Sequence, residues 1–141
     1  MRRPMIVLMS LVAVPAAAQT LKPGMWEATS QMTSMSMPNM PVDMKQALAG
    51  KAHSFRYCVR AEDVAKAPER LFQGSDGRCR YTQFKMTGGS LNAVMQCQGG
   101  MTGRMKGTFT PTSYAATNDM AMSGGMKMTS RVTGRRVGNC K

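Results

Sequence analysis

The chain has 141 residues and a formal net charge of +12, with 19 lysines and arginines against seven acidic residues. This length corresponds to one domain. A single histidine and mostly isolated acidic residues argue against an enzyme that needs paired acids and bases, and the basic balance favours anionic partners.

The first residues have the pattern of a secretory signal peptide. A short basic start precedes an apolar run over residues 5–14, and residues 16–18 are alanines, the small residues that signal peptidases accept. We therefore assign residues 1–18 to a signal peptide cut between Ala18 and Gln19, and residues 19–141 to one exported β domain. No cysteine directly follows the apolar run, so a lipoprotein anchor is not expected.

The domain left after cleavage is expected in the periplasm or outside the cell. Its formal charge falls only from +12 to +10 when Arg2 and Arg3 are removed. It has no further apolar segment long enough to span a membrane. A basic protein in this compartment meets anionic lipids, anionic glycans or acidic proteins rather than nucleic acid. Alternatively, the positive charge contributes only to solubility.

Short alternating runs separated by glycine, serine and proline turns predict a mostly β fold. The predicted strands cover residues 24–33, 54–59, 79–86, 90–97, 104–110, 114–122 and 126–133. Consecutive strands with short turns form an antiparallel meander. We expect a single curved meander of about six or seven strands, tending to a barrel, with one or two short helices and two disulfides.

Helix is predicted in two short segments. Residues 60–67 have acids in the first turn and Pro68 after the end, as the helix dipole and proline geometry favour. Residues 42–49 form the second candidate. The proline-rich residues 35–41 are expected to be a loop or a mobile flap.

Four cysteines in an exported chain predict two disulfides. A turn at residues 87–89 puts Met86 opposite Ser90 and, further along the two strands, Cys79 opposite Cys97, so these cysteines are expected to bond. By elimination, Cys58 pairs with Cys140. No CxxC spacing occurs, so neither a redox motif nor a zinc knuckle is indicated.

Four methionines alternate on either side of a turn at residues 123–125: Met120, Met122, Met126 and Met128. A three-residue hairpin loop there puts all four thioethers on one face. We predict that this face packs against the domain's own interior, because methionine fills irregular apolar surfaces. Two alternatives stay open. The face is a pliable surface for an apolar ligand, or it binds Cu(I) or Ag(I) through soft thioethers, with methionines of residues 35–40 as a mobile arm.

A candidate anion patch lies near the end of the chain. Its members are Arg131, Arg135 and Arg136, which Arg78, Arg80 and Lys141 would extend. The planar guanidinium suits phosphate and carboxylate recognition. A solvated basic face explains the same residues more simply.

No catalytic residue and no cofactor are predicted. His53 is the only histidine, and the adjacent Glu62 and Asp63 stand where a helix start favours negative charge. Residues 99–103 lack the lysine and the strand-to-helix context of a phosphate-binding loop. The cysteines are expected to be oxidised, which removes the thiol nucleophile.

Several short motifs together resemble a known family. They are the PGMWE of residues 23–27, the Met-Pro pairs at 37–38 and 40–41, the CVRAED of 58–63, Cys79, Tyr81, Cys97, the GMTG of 100–103 and the GRRVGNC of 134–140. From about residue 21 to the end, the chain resembles domain-of-unknown-function family 3617, a group of small exported bacterial proteins. The resemblance implies a signal-bearing, mostly β bacterial protein and brings no activity. It weakens the metal-binding alternative, because Met-Pro and Met-x-Met motifs are ordinary for the family. An acid is usual where this chain has Asn139.

These observations predict a non-enzymatic exported envelope protein, a small binding or structural module with a methionine-lined apolar face. Its partner is not identified by the sequence; an apolar or an anionic envelope ligand fits best. The competing class is a periplasmic Cu(I)- or Ag(I)-binding protein. A hydrolase whose site the sequence does not reveal is the third.

Overall fold

The computed structural model describes residues 20–66, 68–72 and 78–141. The predicted signal peptide lies outside these residues. Seven strands dominate the described part: β1 (Gly24–Ser36), β2 (Ala52–Val59), β3 (Cys79–Thr87), β4 (Ser90–Cys97), β5 (Thr102–Thr110), β6 (Ser113–Ala121) and β7 (Lys127–Gly138). The helices are α1 (Val42–Leu48) and α2 (Ala61–Lys66), with 3₁₀ turns at Pro68–Phe72 and Gln98–Gly100.

All seven strands pair antiparallel in one sheet, in the order β2-β1-β7-β6-β5-β4-β3. This confirms the predicted mostly β antiparallel fold. Strands β3 to β7 form a meander, but β1 pairs with β7, the last strand. The sheet therefore does not close into a barrel, since β2 and β3 remain its two edges in the described part of the chain. No described helix has the length and apolar character needed to cross a membrane.

The inner face of the sheet carries the core. Its buried side chains come from five strands and the segment before β1: Leu21, Trp26, Ala28, Val59, Leu91, Ala93, Met105, Phe109, Tyr114 and Ala116. Because β2 and β3 lie at opposite edges, the chain between them has to cross the sheet. We call α2 and the 3₁₀ turn at Pro68–Phe72 the crossing segment. Its Val64, Leu71 and Phe72 pack against the core, so the core lies between the sheet and this segment.

Tyr114 is the centre of an aromatic cluster in this core. Its ring stacks on Trp26 at a centroid distance of 5.8 Å and meets Phe72 edge-on at 5.2 Å. Its hydroxyl and that of Tyr57 share a hydrogen bond of 2.9 Å. Burial is the main cause that raises the pKa of both phenols above the ordinary value of 10. Each therefore stays neutral and able to donate.

The β3–β4 hairpin differs from its predicted register near the turn. Gly88 and Gly89 have φ of 59° and 78°, so they form a two-residue turn and Thr87, not Met86, faces Ser90. A register shift between Tyr81 and Gln83 then takes up one extra residue. The two offsets cancel, because Tyr81 still faces Met95 beyond the bulge.

Both predicted disulfides are confirmed. The hairpin disulfide, Cys79–Cys97, joins cross-strand partners on β3 and β4. The long-range disulfide, Cys58–Cys140, spans 82 residues of sequence and ties edge strand β2 to the end of the chain. Disulfides persist in oxidising compartments, so the two bonds fit a protein outside the cytoplasm.

Strand β1 is longer than predicted. Pairing with β7 continues past an irregularity between Met32 and Ser34 and ends at Ser36 opposite Lys127. Only the end of the proline-rich segment is a turn, in which Asn39 has a positive φ of 61° and the Met40 N–H donates to the Met37 carbonyl. The loop is therefore shorter than expected, because β7 is long enough to pair with the backbone of residues 35 and 36.

Candidate functional site

The methionine hairpin is built by the turn between β6 and β7. Gly124 and Gly125 have φ of 86° and 80°, which other residues rarely adopt. The Met122 N–H donates to the Met126 carbonyl at 2.8 Å, and Met120 pairs with Met128. All four methionine side chains are half-buried and lie outside the buried core cluster.

The hairpin is part of a longer row of methionines across the sheet. The irregularity in β1 shifts its alternation by one residue, so Met35 pairs with Met128. On the other side, Met120 faces Gly103, which faces Met95. Cross-strand partners share one face of a sheet. Met35, Met128, Met120 and Met95 therefore form one row on the inner face, which we call the methionine row.

Gly103 is the gap in the methionine row. A Cβ atom placed there would lie 2.9 Å from Met95 Cε and 3.8 Å from Met120 Cγ. Two thioether side chains therefore lean over the glycine from the strands on either side. The floor of the row is formed by flexible, polarizable side chains, which repack easily around an apolar guest.

A buried polar atom lies one step along the same strands. Asn118 pairs with Met105 on β5 and with Ser130 on β7, so it occupies the row next to the methionines. Its Oδ1 is buried and has no hydrogen-bond partner in the described part of the chain. Buried acceptors are almost always paired. Among the described residues, this acceptor is the buried side-chain atom of the face that still lacks a donor.

Turns border this end of the sheet. Pro38, in the turn after β1, lies against the β6–β7 turn, since a Cβ on Gly125 would be 3.4 Å from its Cγ. Ser123 Oγ donates to the Gly99 carbonyl at 3.4 Å and links that turn to the 3₁₀ turn before β5. The loop methionines are not a free arm, because Met37 is half-buried and Met40 is buried.

The three arginines of the candidate anion patch do not converge. Arg135 donates to Glu27 Oε1 at 2.9 Å, and Arg56 donates to the other oxygen at 2.9 Å. These hydrogen bonds, first from Arg135 and then from Arg56, hold the pKa of Glu27 below its ordinary 4.5. Arg136 lies on the opposite face from Arg135, and Arg131 is exposed.

A comparison with protein-family models matches residues 21–140 to the family described as protein of unknown function (DUF3617). The chain belongs to the DUF3617 family. This confirms the resemblance found in the sequence. Searches of curated proteins and of solved structures each find no significant match, and the family description names no activity.

The closing motif of this DUF3617 chain has a structural role that the sequence did not reveal. Arg136 donates from Nε to the Pro23 carbonyl at 2.8 Å and from NH2 to Asn139 Oδ1 at 2.7 Å. Asn139 therefore accepts a hydrogen bond through its side-chain oxygen. The contact joins the end of the chain to the start of β1.

The residues considered for catalysis lie apart in this DUF3617 chain. His53 is exposed on edge strand β2, and Glu62, on α2, is 3.7 Å from Arg60. Within the described residues, no group of three or more histidine, cysteine, aspartate or glutamate side chains could hold a metal ion. This finding does not concern methionine sulfur ligands, which in this chain would come from the methionine row.

Proposed function

We propose that this protein is a non-enzymatic, exported binding protein whose methionine row receives a small apolar ligand. The observation that carries the proposal is the row itself, four thioether side chains from four strands at the half-buried end of the inner face. Methionine is frequent at adaptable binding surfaces because its unbranched side chain changes rotamer easily. The other end of the inner face holds the buried aromatic core.

The unpaired Asn118 Oδ1 narrows the ligand class. The acceptor is already buried without a partner in the described part of the chain, so a hydrocarbon would gain no hydrogen bond there, whereas a donor group would gain about 1 kcal/mol. An apolar molecule with one hydroxyl or amine hydrogen would pair with it. The ligand proposed here is therefore apolar over most of its surface and carries a single donor.

Two fluorescent probes test the site in the purified mature protein. N-phenyl-1-naphthylamine is apolar with one N–H, whereas Nile red has no donor. The Met128→Gln variant keeps the side-chain length but adds an amide. It should lower the affinity for both probes by roughly tenfold, or about 1.4 kcal/mol. The matched control is Met44→Gln on α1, whose side chain is already 47% exposed and should leave both affinities unchanged. Equal effects of the two variants would contradict the proposal.

The Asn118→Ala variant distinguishes the hydrogen bond to the ligand's donor group from the apolar contacts with the rest of the ligand. Loss of one hydrogen bond, worth about 1 kcal/mol, should lower the affinity for N-phenyl-1-naphthylamine about fivefold and leave the affinity for Nile red unchanged. A parallel loss for both probes would mean that Asn118 supports the sheet and does not meet the ligand.

Binding of Cu(I) is the second candidate, favoured by the adjacency of Met35, Met128 and Met120 on three neighbouring strands. Cross-strand Cβ atoms lie roughly 5 Å apart, close enough for flexible thioethers to converge on one soft ion. A Cu(I) competition titration on the wild type and on Met120→Leu/Met128→Leu tests it. Tight one-to-one binding that is lost in the variant, at unchanged thermal stability, would favour copper over the apolar ligand.

Export is supported by the disulfides and by the basic, apolar and small-residue order of the first 18 residues. The intact mass of the protein recovered from the periplasm or medium should correspond to a chain starting at Gln19. A full-length chain retained in the cytoplasm with free thiols would contradict export.

A further inference from the structure

The outer face of the sheet, opposite the core, is strongly cationic between β3 and β7. Six exposed side chains point to this side: Arg80, Lys85, Arg104, Lys106, Lys127 and Arg131. None of the six forms a side-chain hydrogen bond or ion pair with another described residue. Asp119, which accepts a hydrogen bond from Thr129, is the one acid among the described residues of this part of the face.

The contrast with the rest of the outer face is informative. Around Glu27 the cations are paired, since its carboxylate lies 2.9 Å from both Arg56 and Arg135. From β3 to Arg131, the one carboxylate among the described residues is that of Asp119, which faces Arg104 but accepts its hydrogen bond from Thr129. Uncompensated like charges repel one another, so this surface gains from an anionic partner.

The cations are arranged in a regular row. Lys85 on β3 pairs with Asn92, which pairs with Lys106; Lys106 pairs with Thr117, which pairs with Arg131. A cation therefore occurs on every second strand of this row. With neighbouring strands about 4.8 Å apart, consecutive cations are roughly 10 Å apart over a span of about 19 Å. The residues between them carry amide or hydroxyl groups.

Two grooves run beside this row. One, of about 570 Å³, is lined by Lys85, Arg104 and Lys106 among others. The second, of about 340 Å³, is lined by Arg104 and Lys127, and also by Met120 and Met128 of the methionine row. Arg104 and Val94 line both, so the grooves adjoin. A groove fits an extended chain better than it fits a flat membrane surface.

The side chains of this face also discriminate among polyanions. Between β3 and β7 the outer face carries no aromatic side chain among the described residues. Single-stranded nucleic acids bind by stacking bases on aromatic rings, and membrane-surface segments insert aromatic or large apolar side chains. Amide and hydroxyl groups between cations instead match the hydroxyls and carboxylates of a sugar chain.

We infer that the outer face between β3 and β7 binds a linear acidic glycan, with the cations pairing with its carboxylate or phosphate groups and the intervening polar residues contacting its hydroxyls. The cations point to the face of the sheet opposite the methionine side chains. The two activities can therefore be lost separately.

The test uses the mature, disulfide-bonded protein and a fluorescently labelled alginate oligosaccharide long enough to span the row. Lys85→Gln/Arg104→Gln/Lys106→Gln removes three cations from the face. The matched control, Lys22→Gln/Lys51→Gln/Lys66→Gln, removes three exposed cations elsewhere. The face variant should lose at least tenfold in affinity at low salt and show a weaker salt dependence, whereas the control should change less than twofold. Thermal melting of both variants should match the wild type.

Parallel titrations use a thymidine oligonucleotide and phosphatidylcholine vesicles containing about one-third phosphatidylglycerol. Weaker binding to both than to alginate supports the inference. Equal losses in the two triple variants would mean that net charge alone attracts the glycan and would overturn it. Tighter binding to the vesicles or the oligonucleotide, lost in the face variant, would assign the surface to a membrane or a nucleic acid instead. Failure to bind alginate at low salt would also overturn it.

Discussion

Replacing Gly134 with alanine should destabilise the protein much more than the same change elsewhere on β7. Gly134 faces Tyr114 across the β6–β7 pair, and the tyrosine ring lies over it. A Cβ atom at Gly134 would be 2.2 Å from Tyr114 Cε1 and 2.3 Å from Cζ. Carbon atoms in ordinary contact are about 3.5–4.0 Å apart, so the ring has to move by more than about 1 Å.

The cost follows from what the ring touches. Moving it weakens the stack on Trp26 and the edge contact with Phe72, each worth about 0.5–1.5 kcal/mol. It also stretches the hydrogen bond with Tyr57, worth about 1 kcal/mol. Overpacking of a core typically costs about 1–3 kcal/mol. We expect a loss of about 3 kcal/mol, which for a domain of this size lowers Tm by about 12 °C.

The sheet provides its own controls. A Cβ at Gly138 would meet nothing within 4 Å, so Gly138→Ala should stay within about 0.5 kcal/mol of the wild type. At Gly103 the nearest atom is the mobile tip of Met95, so Gly103→Ala should cost less than about 1 kcal/mol. Urea unfolding of the disulfide-bonded mature domain, followed by circular dichroism, measures all three.

The explanation depends on Tyr114 itself. In a Tyr114→Leu background, Gly134→Ala should cost far less than in the wild type, because the ring that it displaces is gone. If Gly134→Ala and Gly138→Ala have the same stability, or if the two changes are additive, the proposed role of the ring is refuted.

Three further predictions concern stability. Removing both cysteines of the long-range disulfide should cost about 4.5 kcal/mol and removing those of the hairpin disulfide about 3 kcal/mol, because the sequence separations are 82 and 18 residues; the opposite order in urea unfolding would contradict the loop-length argument. Because the folded pKa of Glu27 is lowered from 4.5, its contribution is present above that pH and is lost as the pH falls through the lowered value. Glu27→Gln should therefore flatten the acid side of the Tm profile, and an unchanged profile would refute this. Burial raises the pKa of Tyr81 from 10 to about 12, so its contribution is complete below pH 10 and is lost as the pH rises toward 12. Tyr81→Phe should reduce the alkaline fall in Tm, and an equally steep fall would show that other groups cause it.

Local turn chemistry made much of the fold predictable. Glycine pairs at residues 88–89 and 124–125 marked two hairpins, and each sat between alternating runs that gave the strands. The hairpin disulfide followed from pairing across the first turn. The turn was one residue shorter than predicted, but the bulge near Tyr81 restored the register. A bulge depends on neighbouring strands and has no clear local signal in one sequence.

The candidate site was less predictable for the same reason. The hairpin methionines were visible as an alternation, but Met35 joined their row only through the irregularity in β1, and Met95 only through the pairing of β4 with β5. The partnership of β1 with β7 is non-local and left no pattern in the sequence. The cationic row was hidden likewise, because Lys85, Lys106 and Arg131 come from separate hairpins.

The position of β1 beside β7 has a consequence for the order of assembly. Strands β3 to β7 pair with sequence neighbours, so they can form quickly by closing short loops. Strand β1 is made early, yet its main partner is the last strand, about a hundred residues later. Until β7 arrives, β1 and β2 have only each other as a two-stranded hairpin, which is marginal in water. Folding of this chain should therefore end with the docking of its first hairpin onto its last strand, and a truncation that removes β7 should leave β1 and β2 with no other strand to pair with.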